Sequence, residues 1–318
     1  MKPARYRSLS PLLVLAAIGL TACAPGLSAP PGPPGGASEY RLYRAAEGRF
    51  VTIEELTADL ADADVLFFGE FHDDQTVHGV QRQLFAGLEG LEPRRVVLGL
   101  EMFERDVQPV LDRYLSGEIG EEEFLAATRP WPNYRTDYRP LVEMARERGW
   151  RVVGTNMPQA LATGIARTGL ASLDELSPEE RAGAAAEIQC PADQYFERFL
   201  DALGGAAERA HGTPSAADPM MRRVFEAQCA RDETMAEAIA PLLGSEAFVF
   251  HVNGSFHTDH FLGIVPRLLR REPEARVRVV ATIQVKDLAN PPLEENLDRA
   301  DYLLFTREPP ESGSASGS

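Results

Sequence analysis

Asp64-Val-Leu-Phe-Phe-Gly-Glu-Phe-His-Asp73 is an apolar run that breaks at a glycine and delivers a carboxylate and an imidazole. A second run near the other end of the chain, Phe248-Val-Phe-His-Val-Asn-Gly-Ser-Phe-His257, breaks in the same way. The shared spacing is G-x-x-H, with Gly69 and His72 in one copy and Gly254 and His257 in the other. A short apolar run bounded by turn residues reads as a central strand of a parallel sheet. Ligands of open α/β sheets bind beyond the carboxyl ends of the strands, where loops from several strands meet. The two histidines are therefore expected to project into one crevice, although they lie far apart in sequence.

Arg95-Val-Val-Leu-Gly-Leu-Glu101 repeats the pattern, and so does Arg151-Val-Val-Gly-Thr-Asn156. Further strands are expected at Ala247 to Val252, Arg276 to Ile283 and, at an edge, Ala300 to Thr306. Between them lie stretches of helical spacing, such as Val77, Val80, Leu84 and Leu88. Strands alternating with helices predict an α/β fold with a mostly parallel central sheet and flanking helices. Residues 157–242 are rich in Ala, Glu and Arg without a convincing strand, and read as an inserted helical subdomain. Gly204-Gly205 and the stretch from His211 to Pro219 are expected to divide its helices.

The first 22 residues read as a targeting signal, with Lys2, Arg5 and Arg7 ahead of a short apolar core from Pro11 to Leu20. Leu20-Thr-Ala-Cys23 resembles a bacterial lipobox, which implies lipid on Cys23; an ordinary secretory signal is the alternative. Ala24, rather than Asp, leans towards the outer membrane by resemblance to Gram-negative lipoproteins. Residues 23–39 read as a Pro/Gly-rich tether, 40–308 as the α/β domain and 309–318 as a disordered tail. The 318 residues are 44% hydrophobic with a net charge of −16, which suits a globular core and excludes non-specific nucleic-acid binding. Cys190 and Cys229 form one disulfide in an oxidising compartment or stand as two buried thiols.

Glu70, His72, Glu101 and His257 are the groups expected at the strand ends. Two imidazoles and two carboxylates are the ingredients of a zinc, manganese or iron site. Without metal, His72 would act as a base oriented by Glu70 or Glu101. The plainer alternative is a pair of hydrogen-bonded loop histidines. His78 is expected at the surface, His251 and His260 in supporting or structural positions, and Glu104 and Asp73 as solvated charges.

Gly69-Glu-Phe-His72, Leu100-Glu-Met-Phe103 with Gln108, Trp131 with Tyr138, Asn156 before Met157-Pro158, Arg231-Asp-Glu-Thr-Met-Ala236, and Gly254-Ser-Phe-His257 with Gly263-Ile-Val-Pro266 together resemble the ChaN-like haem-binding lipoproteins of the Tiki superfamily. The ordered match covers most of residues 60–270. The resemblance implies an envelope lipoprotein that binds haem for iron uptake, enclosing it as a homodimer. It also implies a scaffold related to metal-dependent proteases and erythromycin-esterase-like hydrolases, so a metal-dependent hydrolase of peptides or esters is the alternative. Tyrosine-type ligation of ferric haem is what the resemblance implies. Tyr195 is the candidate, with ordinary packing as its alternative, and His211 is a candidate partner.

Overall fold

All six residues of β3 (Val65–Glu70) are buried, as a strand covered on both faces by crossover helices must be. The computed structural model describes residues 39–91, 93–207, 218–244 and 246–309. The expected strands are present as β3, β4 (Arg95–Glu104), β5 (Arg151–Asn156), β6 (Ala247–Gly254), β7 (Val277–Val285) and β8 (Tyr302–Arg307). Two more, β1 (Tyr40–Arg44) and β2 (Arg49–Val51), form an antiparallel hairpin that joins the sheet along β8. The sheet order is β2-β1-β8-β7-β3-β6-β4-β5. Strands β3 to β8 pair with one another in parallel and only the β1–β2 hairpin runs antiparallel, so the fold is α/β with a mostly parallel sheet.

Successive strand residues point to opposite faces, and each face has its own core. Leu66, Phe68, Leu98 and Phe250 pack with Val80 and Leu84 of α2 (Gln75–Gly87) and Leu141 of α6 (Arg139–Glu147). Phe67, Val249 and Val279 pack on the other side against Met235 and Ile239 of α10 (Pro219–Ile239) and Leu268 of α11 (Ile264–Arg271).

The described residues between β5 and β6 contain no strand; their α-helices are α7 (Gln159–Thr168), α8 (Pro178–Arg181), α9 (Gln194–Ala207) and α10, with an irregular stretch over 182–193. The expected break at Gly204-Gly205 is absent, because α9 runs on through both glycines. Cys190 and Cys229 are joined by a disulfide that fastens the segment before α9 to α10. Long as it is, this excursion returns the chain to a position between two strands already laid down. β6 pairs with β3 on one side and β4 on the other, so Glu70 stands opposite Gly254 in register. That insertion brings the two G-x-x-H motifs side by side.

Candidate functional site

The carboxyl ends of β3 and β6 open into a cleft of about 890 Å3, lined by Glu70, Phe71, His72, Gln228, Phe256 and His257 among others. Its size is that of a small-molecule or cofactor site.

His72 is anchored at one nitrogen and open at the other. Its Nδ1 donates to Glu70 Oε1 at 2.9 Å. The same oxygen accepts from the Tyr138 hydroxyl at 2.6 Å, and Glu70 Oε2 accepts from Gln81 Nε2 at 2.6 Å. Glu70 is thereby fully engaged and fixes the tautomer and tilt of the ring. Among the described residues Nε2 of His72 has no hydrogen-bond partner, and the side chain is 42% exposed. Trp131 meets the ring edge-on at 4.8 Å between centroids. Burial opposes protonation of His72, but the Glu70 hydrogen bond and the charge of Glu101 outweigh it and raise its pKa. Gly254 leaves the space the ring occupies, since a Cβ there would lie 3.0 Å from Cε1 and Nε2 of His72.

His257 sits deeper, and neither ring nitrogen is open. Nδ1 donates to Asp232 Oδ1 at 2.6 Å, and Nε2 lies 3.3 Å from Glu101 Oε1. Glu101 Oε2 accepts the Gly254 amide at 2.7 Å. Burial works against charge on the imidazole, yet the two carboxylates prevail and lift its pKa to about 10. Burial likewise opposes ionisation of Glu101, but His257 and the Gly254 amide hold its carboxyl far below the usual carboxylate range. His257 is thus an imidazolium between two carboxylates, and the trio carries one net negative charge.

The four predicted groups are neighbours, as the strand ends required, and as they stand they bond to one another and to nearby polar groups. Among the described residues no group of three or more His, Cys, Asp or Glu side chains can hold a metal ion. The reason is visible in the pairing: the Glu70, Glu101 and His257 donor atoms are spent on one another and on neighbouring polar groups. Chemically, the remaining free atom is Nε2 of His72, which can ligate iron or take a proton.

Tyr195 lies in an aromatic cluster with Phe196, Phe199, Phe225 and the disulfide sulfur of Cys229. It is 2% exposed, stacks on Phe256 at 5.1 Å, and its hydroxyl accepts from Gln228 Nε2 at 3.1 Å. Burial first, then the charge of Asp232, pushes its pKa up, against the phenolate that iron favours. The structure therefore gives Tyr195 the packing alternative. Cys23 and His211 lie outside the described residues.

His78, expected at the surface, is fully buried. Its Nε2 faces the His72 carbonyl at 3.2 Å and its Nδ1 faces Gln81 Oε1 at 3.1 Å. The helical spacing of α2 hid this, because His78 falls one position after Val77 on the inward side. Buried His251 holds Thr155 Oγ1 at 2.8 Å and Asn253 Oδ1 at 3.0 Å, and burial drops its pKa to about 4. It supports the strand ends from behind. Glu104 is no free charge: it accepts from Arg129 and from the Gln159 amide. Asp232 and Gln228 were missed because α10 carries them from the helical excursion, where sequence spacing points to no strand end.

Residues 56–268 match the family model described as haem-binding uptake, Tiki superfamily, ChaN. The chain belongs to that family. A solved structure titled for cofacial haem binding to ChaN of Campylobacter jejuni is 19% identical, covers 85% of this chain and 97% of its own, and superposes with a TM-score of 0.64. An erythromycin esterase, EreC, is 14% identical over 82% of this chain and 81% of its own, with a TM-score of 0.43. A MARTX toxin effector domain, RRSP of Vibrio vulnificus, is 17% identical over 83% of this chain and 39% of its own, also at 0.43. No curated protein matches the chain.

Proposed function

We propose that this member of the family binds haem in the cleft at the carboxyl ends of β3 and β6, where the free Nε2 of His72 would hold the iron. One observation carries the reading: an imidazole held by a carboxylate at Nδ1 presents a free Nε2 to an open cleft of cofactor size. The residues present fit the group. Phe71, Phe256 and Pro132 supply apolar walls for a flat macrocycle, and Trp131 stands beside the ligand. Bound haem would supply a ferric centre that accepts an imidazole nitrogen. Glu70 keeps the ring aimed and strengthens it as a ligand, and Tyr138 and Gln81 keep Glu70 in place. The net negative charge of the Glu101, His257 and Asp232 trio steers anionic propionates away from the floor and towards the mouth of the cleft.

Titration of the protein with hemin, followed in the Soret band, tests this. Binding is expected to saturate, His72→Ala to weaken it by more than about tenfold and shift the band, and Tyr195→Phe to leave the spectrum unchanged. A His72→Ala protein with the parent spectrum and affinity would overturn the ligand assignment.

The wider role follows the same family reading. The protein is a lipoprotein anchored through Cys23 at the outer membrane, delivers haem iron for uptake, and uses a second copy of itself to cover the open cleft. Support comes from the lipobox-like Leu20-Thr-Ala-Cys23 and from the Cys190–Cys229 disulfide, which belongs to an oxidising compartment. No described helix is long and apolar enough to cross a membrane. Metabolic labelling with palmitate, lost in Cys23→Ser, checks the anchor, and sedimentation with and without hemin checks the dimer.

A further inference from the structure

At the opposite pole of the sheet, where β4, β5 and β6 begin, lies a second pocket of about 560 Å3. The ten residues of β4 separate it from the haem cleft, a span of roughly 30 Å at about 3.3 Å per residue. Its walls include Arg94, Arg95, Trp150, Arg151 and Leu242.

The arginines are the unusual part. β4 and β5 pair Val97 with Arg151, so the alternation of side chains places Arg95, Val97 and Arg151 on one face of the sheet. Two like charges on neighbouring strands repel, and the sequence keeps them although acidic residues outnumber basic ones 48 to 32. Among the described residues neither guanidinium has a hydrogen-bond or ion-pair partner. Arg94 beside them spends its terminal nitrogens on the carbonyls of Ala63 and Ala247, and its Nε is buried without a partner. Trp150, braced edge-on by Phe85 at 5.1 Å and with the Arg148 guanidinium over its ring at 4.9 Å, and Leu242 give the recess an apolar part of its lining.

We propose that this pocket binds a small anionic amphiphile, its oxyanion head between Arg95 and Arg151 and its apolar body along Trp150 and Leu242. Guanidinium forks match carboxylate and phosphate oxygens, and Arg95 and Arg151 are both exposed where they line the recess, so their forks are accessible to a ligand. An anionic membrane surface is the weaker fit. The site is a recess of small-molecule size, and a net charge of −16 repels an extended anionic surface. The pocket is independent of the haem reading, since it shares no residue with that cleft.

The chain has two tryptophans, one at each site. In the full-length Trp131→Phe protein, Trp150 is therefore the only reporter. Titration with decanoate and with decyl phosphate is expected to give a saturable change in its fluorescence with one or both, and decanol a far weaker one. The Arg95→Gln and Arg151→Gln substitutions, which disturb no core contact, are expected to weaken binding by about tenfold or more each. Calorimetry on the parent protein supplies a second readout should Trp131→Phe fold poorly. Saturating the cleft with hemin should leave decanoate affinity unchanged. Absence of saturable binding by both methods, equal affinity for decanol, or an affinity that survives loss of both arginines would each overturn the proposal.

Discussion

Replacing His257 by Gln removes the positive member of a buried trio and leaves the Glu101 and Asp232 carboxylates facing each other across the vacated ring. Stripping one partner from a buried ion pair costs about 3–5 kcal/mol, because the remaining charge is both desolvated and unpaired. Asp232 Oδ2 already lacks a hydrogen bond in the intact protein, so little reserve exists to absorb the loss. Against a typical domain stability of about 5–15 kcal/mol, the change is large. Its pH dependence is diagnostic. In the folded protein the His257 pKa is raised to about 10, above an unfolded value near 6.5. The imidazolium's contribution is complete below pH ~6.5 and fades as pH rises towards ~10, because the unfolded chain gives up the proton first. The parent protein should lose stability across that window, and His257→Gln should not. Urea denaturation at pH 6, 8 and 9.5, with m-values compared to confirm that the unfolded state is unaltered, reads both effects. A His257→Gln cost below about 1 kcal/mol at pH 7, or parallel pH profiles for parent and variant, would refute the buried imidazolium.

Other perturbations test the supporting parts. His251, buried with its pKa lowered to about 4, stays neutral while the unfolded chain takes up a proton; stability should therefore fall as pH drops from about 6.5 towards about 4, and His251→Gln should blunt that fall in the same denaturation series. Gly263→Ala introduces a Cβ 2.3 Å from the His257 carbonyl oxygen at a φ of +61°. A thermal melt should show destabilisation of roughly 2 kcal/mol or more. Reducing the Cys190–Cys229 bridge, whose sequence separation is 39, should cost up to about 4 kcal/mol on the loop-entropy account, seen as a lower urea midpoint for the double Cys→Ala protein. Glu70→Gln keeps the shape of the tether but removes its charge; hemin affinity is expected to fall by about tenfold with the fold intact by circular dichroism.

Much of this was legible because buried parallel strands announce themselves. Apolar runs such as Val65 to Phe68 and Phe248 to Val252 cannot remain solvent-exposed, and the polar residues that end them must emerge at one pole of the sheet. The hairpin of β1 and β2 was not visible, since Tyr40–Arg44 and Arg49–Val51 are short, half-exposed and basic, and their pairing with β8 is made across the whole chain. The glycine pair at 204–205 looked like a break, but intrinsic preference yielded to the packing of Phe196 and Phe199 on Phe225 that holds α9 in place. His78 reversed its expected setting for a related reason: an imidazole satisfies hydrogen bonds inside the protein as readily as it faces water, and residue type alone does not separate the two.

The sequence by itself determined the class of fold, the family and the identity of the four groups gathered at the strand ends, because periodicity and glycine-bounded motifs are local properties of the chain. Tertiary structure alone decided what those groups are free to do. By sliding β6 between β3 and β4 and laying α10 over the strand ends, the fold gave His257 two carboxylate partners and left His72 with one. Protonation and ligand capacity depend on which atoms meet at 3 Å, and residues 25 and 153 positions apart meet only after the chain has folded.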